Sequence, residues 1–369
     1  MSTYLVLKTD GETAIPLDED ITTIGPEWDM MPDSYDSNLW ARLTELDKKS
    51  EEYVASKRPT NTKKAYEADW RHWQRFCLQL QIPFTAVTLG TLTAFVEWMW
   101  TQPGWKKDKK TGEALVYAAP NTIDRRLAGI VVTARRRYGL KLDTDVASRA
   151  RELLKRYKAE MEENNERRGV GQAPALLVEH LKKISDAQPD SLYGLRNRAL
   201  ILLQFAVAGR EHEMAHLRLR DVVVEESGLV VTIRVSKTSK REVNVPYGQR
   251  LSTCPVRAYL VYTEAAGLDD PDDFVFKALH WRTLNPLPGG LDPKTIGALV
   301  TQCSQTAKCG VKHTGHSARR GFITEAVRKK VDRKIIALQT GHRDGSPTLE
   351  EYVEVGNPWE DNALIGMGL

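Results

Sequence analysis

The sequence predicts a mainly α-helical protein of two domains, with one small antiparallel β-sheet in the second domain. Its 369 residues are more than one hydrophobic core usually organises. Apolar residues recur at three- and four-residue spacing over most of the chain, as they do on amphipathic helices. Three short runs rich in β-branched residues follow one another between residues 222 and 245, which is typical of three consecutive antiparallel strands.

Composition and charge indicate a folded protein with an acidic start and a basic body. Hydrophobic residues make up 41% of the chain and charged residues 28%, which excludes wholesale disorder. The first 50 residues hold four basic and eleven acidic side chains, whereas the rest holds 49 basic and 38 acidic ones. Because a basic body attracts polyanions, nucleic acid is the leading class of partner.

Two further features of the sequence bear on its compartment. No apolar stretch is long enough to span a membrane, so we expect no membrane partner and a cytoplasmic protein, associated with the nucleoid if the source is prokaryotic. The four cysteines lack the spacing of a disulfide framework, and we expect free thiols.

The first half of the chain predicts an extension followed by a helical domain. Residues 1–38 contain clusters of glycine, proline and aspartate without a sustained period, which predicts a loosely ordered acidic extension. Residues 39–165 have helical periodicity and predict four or five helices. The clearest of them begins at Thr60 or Asn61. One face of it carries Tyr66, Trp70, Trp73 and Cys77. We expect this face to belong to the core rather than to a ligand site.

The predicted helices of residues 39–165 also carry a cluster of basic residues. Two interpretations are open, because such residues can bind DNA phosphates or form a solvated face balanced by nearby acids. Their excess over those acids favours phosphate binding. The candidate DNA-binding residues here are Arg125, Arg126, Arg135, Arg136, Arg137, Arg149, Arg151 and Lys155.

A polar run that includes two glycines marks the boundary between the two domains. It interrupts the helical period over residues 162–172, and we assign a linker to residues 166–174. The second domain is then predicted to span 175–369, with a C-terminal tail over 353–369.

The second domain begins with helices and continues with the three strands. Helices are predicted over Ala175–Ser185 and Ser191–Ala208, the second so apolar that it should be buried. Helices resume after the strands, with loops rich in proline and glycine at 285–293 and 341–347. Three large aromatic residues outside the site candidates are predicted to be core: Phe205, Trp281 and Trp359.

Six polar residues at the ends of these elements are candidates for chemistry. In chain order they are Arg210, Lys237, His316, Arg319, His342 and Tyr352. The first arginine ends the buried helix and is followed three residues later by Glu213, which could support it. His316 and Arg319 are also three residues apart, and therefore neighbours on one face of a helix.

This ordered set resembles the active-site series of the tyrosine recombinases, the phage-integrase family that includes Cre and the Xer recombinases. The likeness rests on an arginine with glutamate at plus three, a Lys-Thr pair in the next hairpin, an H-x-x-R, a G-H and a late tyrosine. It covers residues 175–357, and the helices of 39–165 resemble the family's core-binding domain more loosely. The interval from His342 to Tyr352 is one residue longer than expected for the family. Lys240 is a second candidate for the hairpin lysine.

The resemblance implies a mainly α fold with a helical core-binding domain and an α+β catalytic domain. It implies a site-specific DNA recombinase that uses no metal ion or other cofactor. Tyr352 would form a 3′-phosphotyrosyl bond, His316 would manage its proton, and Lys237 would protonate the departing 5′-oxygen. The charge that builds on the phosphate oxygens would meet two guanidiniums, Arg210 and Arg319, and a hydrogen bond donated by His342. Lys240 and Arg320 would contact DNA.

The resemblance also implies the partners of the reaction. These are double-stranded DNA with specific recombination sites and three further copies of the chain, since the family exchanges strands in a homotetramer through a Holliday junction. A C-terminal tail docks on the neighbouring protomer in the family, and here packing of the tail on its own domain is an equal alternative.

Three other interpretations of the same residues were weighed. A DNA-binding regulator on this fold, without strand exchange, would be expected to lack the tyrosine or an arginine, and this chain has both. A tyrosine-dependent topoisomerase or telomere resolvase uses the same chemistry and stays an alternative. Cys303, Cys309, His313 and His316 lie close in sequence, but their spacing matches no standard zinc motif, so no metal site is predicted.

Overall fold

The computed structural model describes residues 36–57, 60–102, 117–169, 171–234 and 240–342. The contacts within it divide the chain into two units, Met1–Val170 and Gly171–Leu369. In its described part, the first unit is helical, and the second combines helices with two small antiparallel sheets. The predicted fold class, mainly α with a small antiparallel β-sheet, is confirmed. The N-terminal extension, except its last three residues, and the C-terminal tail lie outside the described residues.

The first unit contains five helices in its described part. They are α1 (Ser37–Lys57), α2 (Thr60–Leu80), α3 (Leu89–Thr101), α4 (Pro120–Tyr138) and α5 (Ser148–Glu163). Local sequence explains where several of them begin and end. Thr88 caps α3 by accepting a hydrogen bond from the Thr91 N–H at 3.2 Å. A proline begins α4, and Gly139 ends it in the left-handed conformation with φ of 64°.

Aromatic side chains of α2 and α3 form the core of the first unit. Trp73 and Phe95 are fully buried and pack edge to face, with ring centroids 5.6 Å apart. Trp70 and Cys77 are buried on the same face of α2, as the sequence predicts, and Tyr66 is partly buried. This core fixes α2 against α4, which carries most of the predicted DNA-binding arginines.

The second unit is built around one buried helix. Its helices are α6 (Val178–Asp186), α7 (Leu192–Ala206), α8 (Glu211–Ala215), α9 (Pro255–Ala265), α10 (Pro293–Thr306), α11 (Ser317–Arg328) and α12 (Arg333–Thr340). Helix α7 is buried over most of its length, as its apolar sequence predicts, and Leu200 and Leu203 have no exposed surface. The residues that follow α7 therefore emerge from the centre of the unit.

The three predicted strands pair in sequence order. They are β1 (Val222–Glu225), β2 (Gly228–Ile233) and β3 (Arg241–Pro246), and both pairs are antiparallel. Burial alternates along β3, with Arg241, Val243 and Val245 facing the core. An arginine thus occupies an inward position of this strand.

A second sheet lies where the sequence predicted a loop. Strands β4 (Lys277–Leu279) and β5 (Pro286–Gly290) form an antiparallel pair with an irregular register, which explains why no alternating pattern revealed it. Trp281 lies in the turn between them and is 75% exposed, so the prediction that it is core is wrong. In that turn its ring packs under the Arg282 guanidinium, 4.2 Å away, instead of entering the core. Phe205 is partly buried against the core, and Trp359 lies outside the described residues.

The cysteines agree with the sequence prediction of free thiols. All four are buried and none forms a disulfide. Among the helices described, none combines the length and apolarity that crossing a bilayer requires.

Candidate active site

The candidate site begins where α7 ends. After the helix, Ala208 adopts a left-handed conformation with φ of 47°, and the chain turns through Gly209 into Arg210. A Cβ at Gly209 would lie 2.6 Å from the sulfur of Met214, so a larger residue there would require the Met214 side chain to move. This turn brings the Arg210 side chain, 16% exposed, from the buried helix towards the surface.

Glu213 binds two arginines at once. Its Oε1 accepts from Arg210 Nη1 at 2.8 Å and from Arg241 Nη1 at 3.1 Å, and its Oε2 accepts from Arg241 Nη2 at 2.8 Å. Oε2 also accepts from the backbone N–H of Arg210 at 2.9 Å. Burial alone would raise the pKa of this carboxyl, but the hydrogen bonds and charges of the two arginines outweigh it and lower the pKa to about 2. Glu213 is therefore ionised, in the supporting position that the sequence predicted.

Arg241 is a site residue that the sequence reasoning missed. The sequence candidates in this region were the two lysines that precede Arg241, and one of them, Lys240, is exposed next to β3. A signal was present, because Arg241 has the same parity as Val243 and Val245 in an alternating strand. A charged residue at an inward strand position needs a buried partner, and here that partner is Glu213.

Arg319 lies on the first turn of α11 and is 4% exposed. Its Nη1 donates to the carbonyl of Ala208 at 2.8 Å, and its Nη2 donates to the carbonyl of Thr340 at 2.7 Å. The guanidinium thus connects the turn after α7 with the end of α12. Because Ala208 lies two residues before Arg210, this contact holds the second predicted arginine close to the first.

His342 follows α12 and contacts that network directly. Its Nε2 lies 3.0 Å from Arg319 Nη2, and its Nδ1 lies 2.9 Å from Thr340 Oγ1, which itself donates to the Ile336 carbonyl at 2.6 Å. Since a guanidinium can only donate, Nε2 is the acceptor and Nδ1 carries the proton. Burial and the charges of Arg319 and Arg210 lower the pKa of His342 to about 4, so the ring is neutral. The sequence predicted a hydrogen-bond donor here, whereas this geometry makes Nε2 an acceptor.

Gly341 explains the G-H pair in the sequence. It ends α12 in the left-handed conformation with φ of 69°. A Cβ on it would lie 3.2 Å from Cδ of Arg241. Glycine is therefore favoured by the turn that positions His342, and a Cβ there would also crowd the Arg241 side chain.

His316 lies exposed immediately before α11. Glu211 packs against the residue before it, because a Cβ on Gly315 would lie 1.7 Å from the Glu211 carboxylate. Burial lowers the pKa of His212, and the charges of Arg210 and His316 lower it further, while Glu213 opposes them. His316 therefore lies beside α8, the helix that directly follows Arg210.

Two of the predicted catalytic residues lie outside the described residues. They are Lys237, between β2 and β3, and Tyr352, ten residues after His342. Their roles remain predictions. The structure brings together Arg210, Glu213, Arg319 and His342, and it adds Arg241.

The basic residues predicted to bind DNA differ in what they contact. Arg125 donates to the buried Asp69 at 2.5 Å, and Arg126, whose side chain is 13% exposed, lies against the same carboxylate. Arg135 donates to backbone carbonyls of the α4–α5 loop at 2.8 and 2.9 Å, and Arg151 pairs with Asp124 at 2.8 Å. The exposed members without such a described contact are Arg136, Arg149 and Lys155, with Arg137 stacked near Tyr138.

A cavity of about 410 Å³ lies between α2 and α4. Its lining includes four cations and two aromatic rings, namely Lys63, Arg71, Arg136, Arg137, Tyr66 and Trp70. The indole N–H of Trp70 is buried and meets no acceptor among the described residues. The cations favour an anionic ligand such as nucleic acid, and those from α2, Lys63 and Arg71, were missing from the sequence prediction.

The candidate zinc residues do not converge. Cys303 donates to Gln188, and His313 is paired with Ser304 at 2.7 Å. In the part of the chain that the structure describes, no three His, Cys, Asp or Glu side chains are grouped as metal ligands would be.

Comparison with known proteins finds similarity to integrases and tyrosine recombinases. Residues 175–357 match the model of the phage integrase family. An integrase/recombinase xerD homolog of Selenomonas ruminantium is 25% identical over 334 residues, which cover 87% of this chain and 89% of that protein. The tyrosine recombinase XerA of Pyrococcus furiosus is 28% identical over 202 residues, 52% of this chain and 64% of XerA.

Solved structures share the fold at low sequence identity. The XerH site-specific recombinase bound to palindromic difH substrate matches with a TM-score of 0.50 and 15% identity, covering 80% of this chain and 76% of XerH. The Tn1549 transposon integrase in complex with circular intermediate DNA matches with a TM-score of 0.50 and 13% identity, covering 82% and 91%. Both were solved as complexes.

Proposed function

The chain belongs to the phage integrase family through its residues 175–357, and on that premise we propose that it is a site-specific DNA recombinase. One observation carries the proposal. Arg210, Arg319 and His342 come from distant parts of the sequence and lie close together at the end of α7, where the charges of both arginines act on His342. Guanidiniums gathered in this way suit the stabilisation of a phosphate transition state.

Tyr352 is the proposed nucleophile. Its oxygen attacks the scissile phosphorus, a 3′-phosphotyrosyl bond forms, and the bond to the 5′-oxygen breaks. Because the pKa of a phenol is about 10, its proton needs an acceptor, and exposed His316 is the proposed one. Lys237 is proposed to donate a proton to the departing 5′-oxygen, with Lys240 as the alternative.

Arg210 and Arg319 are proposed to stabilise the charge that builds on the phosphate oxygens. Apart from its bond to Glu213, the Arg210 side chain makes no hydrogen bond to the described residues, so N–H groups remain for a ligand. We propose that a phosphate oxygen takes the acceptor position that Nε2 of His342 occupies beside Arg319. His342 then orients Arg319 before DNA binds.

Rejoining follows from the chemistry of the intermediate. The phosphotyrosyl ester preserves the energy of the broken bond, so the 5′-hydroxyl of a second strand can attack it without ATP or a metal ion. We propose strand exchange between two duplexes in a homotetramer through a Holliday junction. The DNA complexes among the structural relatives are consistent with a DNA substrate.

The first unit is proposed to bind the duplex through its exposed basic residues. We narrow the predicted set to those that their own domain leaves exposed: Arg136, Arg137, Arg149 and Lys155, joined by Lys63 and Arg71 of the cavity. In the second unit the exposed Lys240 is a proposed contact, and so is Arg320, which is half-buried and also donates to the Ala173 carbonyl at 2.9 Å. The protein is proposed to act where chromosomal DNA lies, in the cytoplasm or the nucleoid.

The experiment that tests the function uses nicked duplexes taken from DNA that flanks the gene. A nick beside the cleavage site lets a short 5′-hydroxyl fragment diffuse away, so the covalent intermediate accumulates. We expect an adduct that survives detergent, forms in EDTA, and occurs with duplexes of one sequence. Absence of an adduct across the whole flanking region contradicts the proposal.

A further inference from the structure

Arg241 is the first residue of β3, and its guanidinium is buried inside the candidate active site at 8% exposure. Besides its two bonds to Glu213, it donates to the carbonyl of Gln339 at 3.1 Å and to that of Val207 at 3.3 Å. A guanidinium enclosed in this way is not placed to bind a phosphate itself. Its position in the network calls for another role.

The end of α7 explains why cations gather here. The last carbonyls of a helix have no partner within it and form the negative end of its dipole. Three consecutive carbonyls are satisfied by side chains: Ala206 by Gln339 at 2.8 Å, Val207 by Arg241 at 3.3 Å, and Ala208 by Arg319 at 2.8 Å. Arg241 and Arg319 therefore bind two adjacent carbonyls. Arg241 also contacts Glu213, and Arg319 also contacts His342.

Glu213 couples Arg241 to Arg210. The same oxygen, Oε1, accepts from Arg210 at 2.8 Å and from Arg241 at 3.1 Å. One negative charge is thus shared by two positive ones, and the three groups carry a net charge of +1. Without Arg241 the carboxylate would act on Arg210 alone, and the pair would be neutral.

We propose that Arg241 is a positioning residue that neutralises Glu213 and so leaves the charge of Arg210 available to the scissile phosphate. The inference rests on the proposed function, because it assigns Arg241 a role in that same phosphate site. It explains why β3, which follows the segment that carries Lys237 and Lys240, has a buried arginine at an inward position. A guanidinium suits this task, because its fork contacts both oxygens of the carboxylate at 3.1 and 2.8 Å.

The test is the rate of adduct formation in a single turnover on the nicked duplex, with DNA affinity measured separately. For Arg241→Gln we expect adduct formation to slow about 100-fold, while binding changes little, since neutralising the charge of Arg210 is comparable to losing one preorganised donor. Glu213→Gln combined with Arg241→Gln removes both charges and restores the charge of Arg210. We expect this double variant to recover to within about tenfold of the wild type, although it lacks more hydrogen bonds. A double variant as slow as Arg241→Gln overturns the proposal.

A second comparison removes the effect of a buried carboxylate that has lost a partner. Arg241→Gln alone leaves the Glu213 carboxylate in that state, which destabilises the fold. Glu213→Gln and the double variant both lack that carboxylate. If Arg241 acts through Glu213, the two should differ less than about threefold in rate. A further loss of tenfold or more in the double variant contradicts the proposal.

Arg196→Gln is the matched control. Arg196 is 3% exposed, lies near the other end of α7, and bonds to Asn197 and to the carbonyl of Lys277. We expect it to lower the melting temperature without slowing adduct formation in the folded protein. If the wild type forms no adduct, the proposed function fails. If the wild type forms one and the rates do not follow the charge of Glu213, the role of Arg241 fails.

Discussion

Each unit of the protein buries one carboxylate between two arginines, and the two carboxylates have opposite properties. Asp69 in the first unit faces Arg125 and Arg126, and Glu213 in the second faces Arg210 and Arg241. Burial raises the pKa of Asp69 despite the charges of its arginines. The hydrogen bonds around Glu213 lower its pKa to about 2.

The difference lies in hydrogen bonds rather than in the number of charges. Both oxygens of Glu213 accept two hydrogen bonds. Asp69 Oδ2 accepts one from Arg125, whereas Oδ1 lies 3.9 Å from Arg126 Nε, and neither of those two atoms has a hydrogen-bond partner among the described residues. A nearby charge stabilises a buried carboxylate weakly unless the donors are directed at it. Every oxygen of the Glu213 carboxylate thus has donors directed at it, whereas the Asp69 carboxylate, in the helical core, does not.

The largest expected effect separates the arginines of the two clusters. Arg210→Ala or Arg319→Ala should slow adduct formation by about 10²–10³-fold, because each removes a donor aimed at the transition state. DNA affinity should change much less. Arg126→Ala is the matched variant in the first unit, and we expect it to lower stability while the single-turnover rate of the folded protein is unchanged. If Arg126→Ala slowed adduct formation as much as Arg210→Ala and Arg319→Ala do, the proposed difference between the two clusters would be wrong.

The carboxylates themselves should differ in their contribution to the free energy of unfolding. Glu213→Gln should destabilise the second unit by about 3 kcal/mol, since it breaks a buried, fully bonded ion pair. Asp69→Asn should cost the first unit less than about 1 kcal/mol, because one oxygen of Asp69 already lacks a donor. Hydrogen exchange of α8 and α2, followed by mass spectrometry, measures the two units separately. Similar protection losses in both helices would show that hydrogen-bond number is not the deciding factor.

Acid should act on the two clusters with opposite sign. The folded pKa of Glu213 is about 2 against an ordinary value of 4.5, so its stabilising effect is present above 4.5 and is lost as the pH falls towards 2. The folded pKa of Asp69 lies above its ordinary value of 3.8, so protonation as the pH falls relieves a destabilising charge. Urea midpoints between pH 6 and 3 should show the gap between wild type and Glu213→Gln narrowing with acid. The gap between wild type and Asp69→Asn should move the other way.

The smallest effect concerns DNA affinity. Arg136→Ala should lower the slope of log K against log salt by about one, as expected for loss of one phosphate contact. Arg125→Ala should leave the slope nearly unchanged, because this guanidinium is paired with Asp69 at 2.5 Å. Binding isotherms at four salt concentrations measure both slopes. If Arg125→Ala changed the slope more than Arg136→Ala does, Arg125 rather than Arg136 would be the residue that contacts a DNA phosphate.

The fold was predictable where local pattern and tertiary structure agree. The apolar period predicted α2 and α7 closely, and the β-branched runs predicted the strands β1 to β3. The β4–β5 pair was missed because prolines, glycines and an irregular register remove the alternating pattern. Trp281 was assigned to the core because large aromatic residues are usually buried, and nothing in the sequence indicates that it lies in an exposed turn.

The sequence indicated which residues belong to the candidate site better than it indicated the contacts between them. The resemblance carried by the ordered polar residues indicated Arg210, Glu213, Arg319 and His342, and all four lie close together at the end of α7. The sequence could not show that His342 accepts a hydrogen bond from Arg319, since that depends on Thr340 and on the end of α12. Arg241 was overlooked because buried partners of a charge come from non-adjacent segments.

The central claim, that a tyrosine near the C-terminus becomes esterified to DNA, has one most direct measurement. The adduct formed on a nicked duplex can be digested with protease and nuclease and its peptide identified by mass spectrometry. We predict a nucleotide attached to Tyr352 in the wild type, and DNA binding without any adduct for Tyr352→Phe. A nucleotide on another residue, or an adduct of undiminished yield in Tyr352→Phe, would contradict the account.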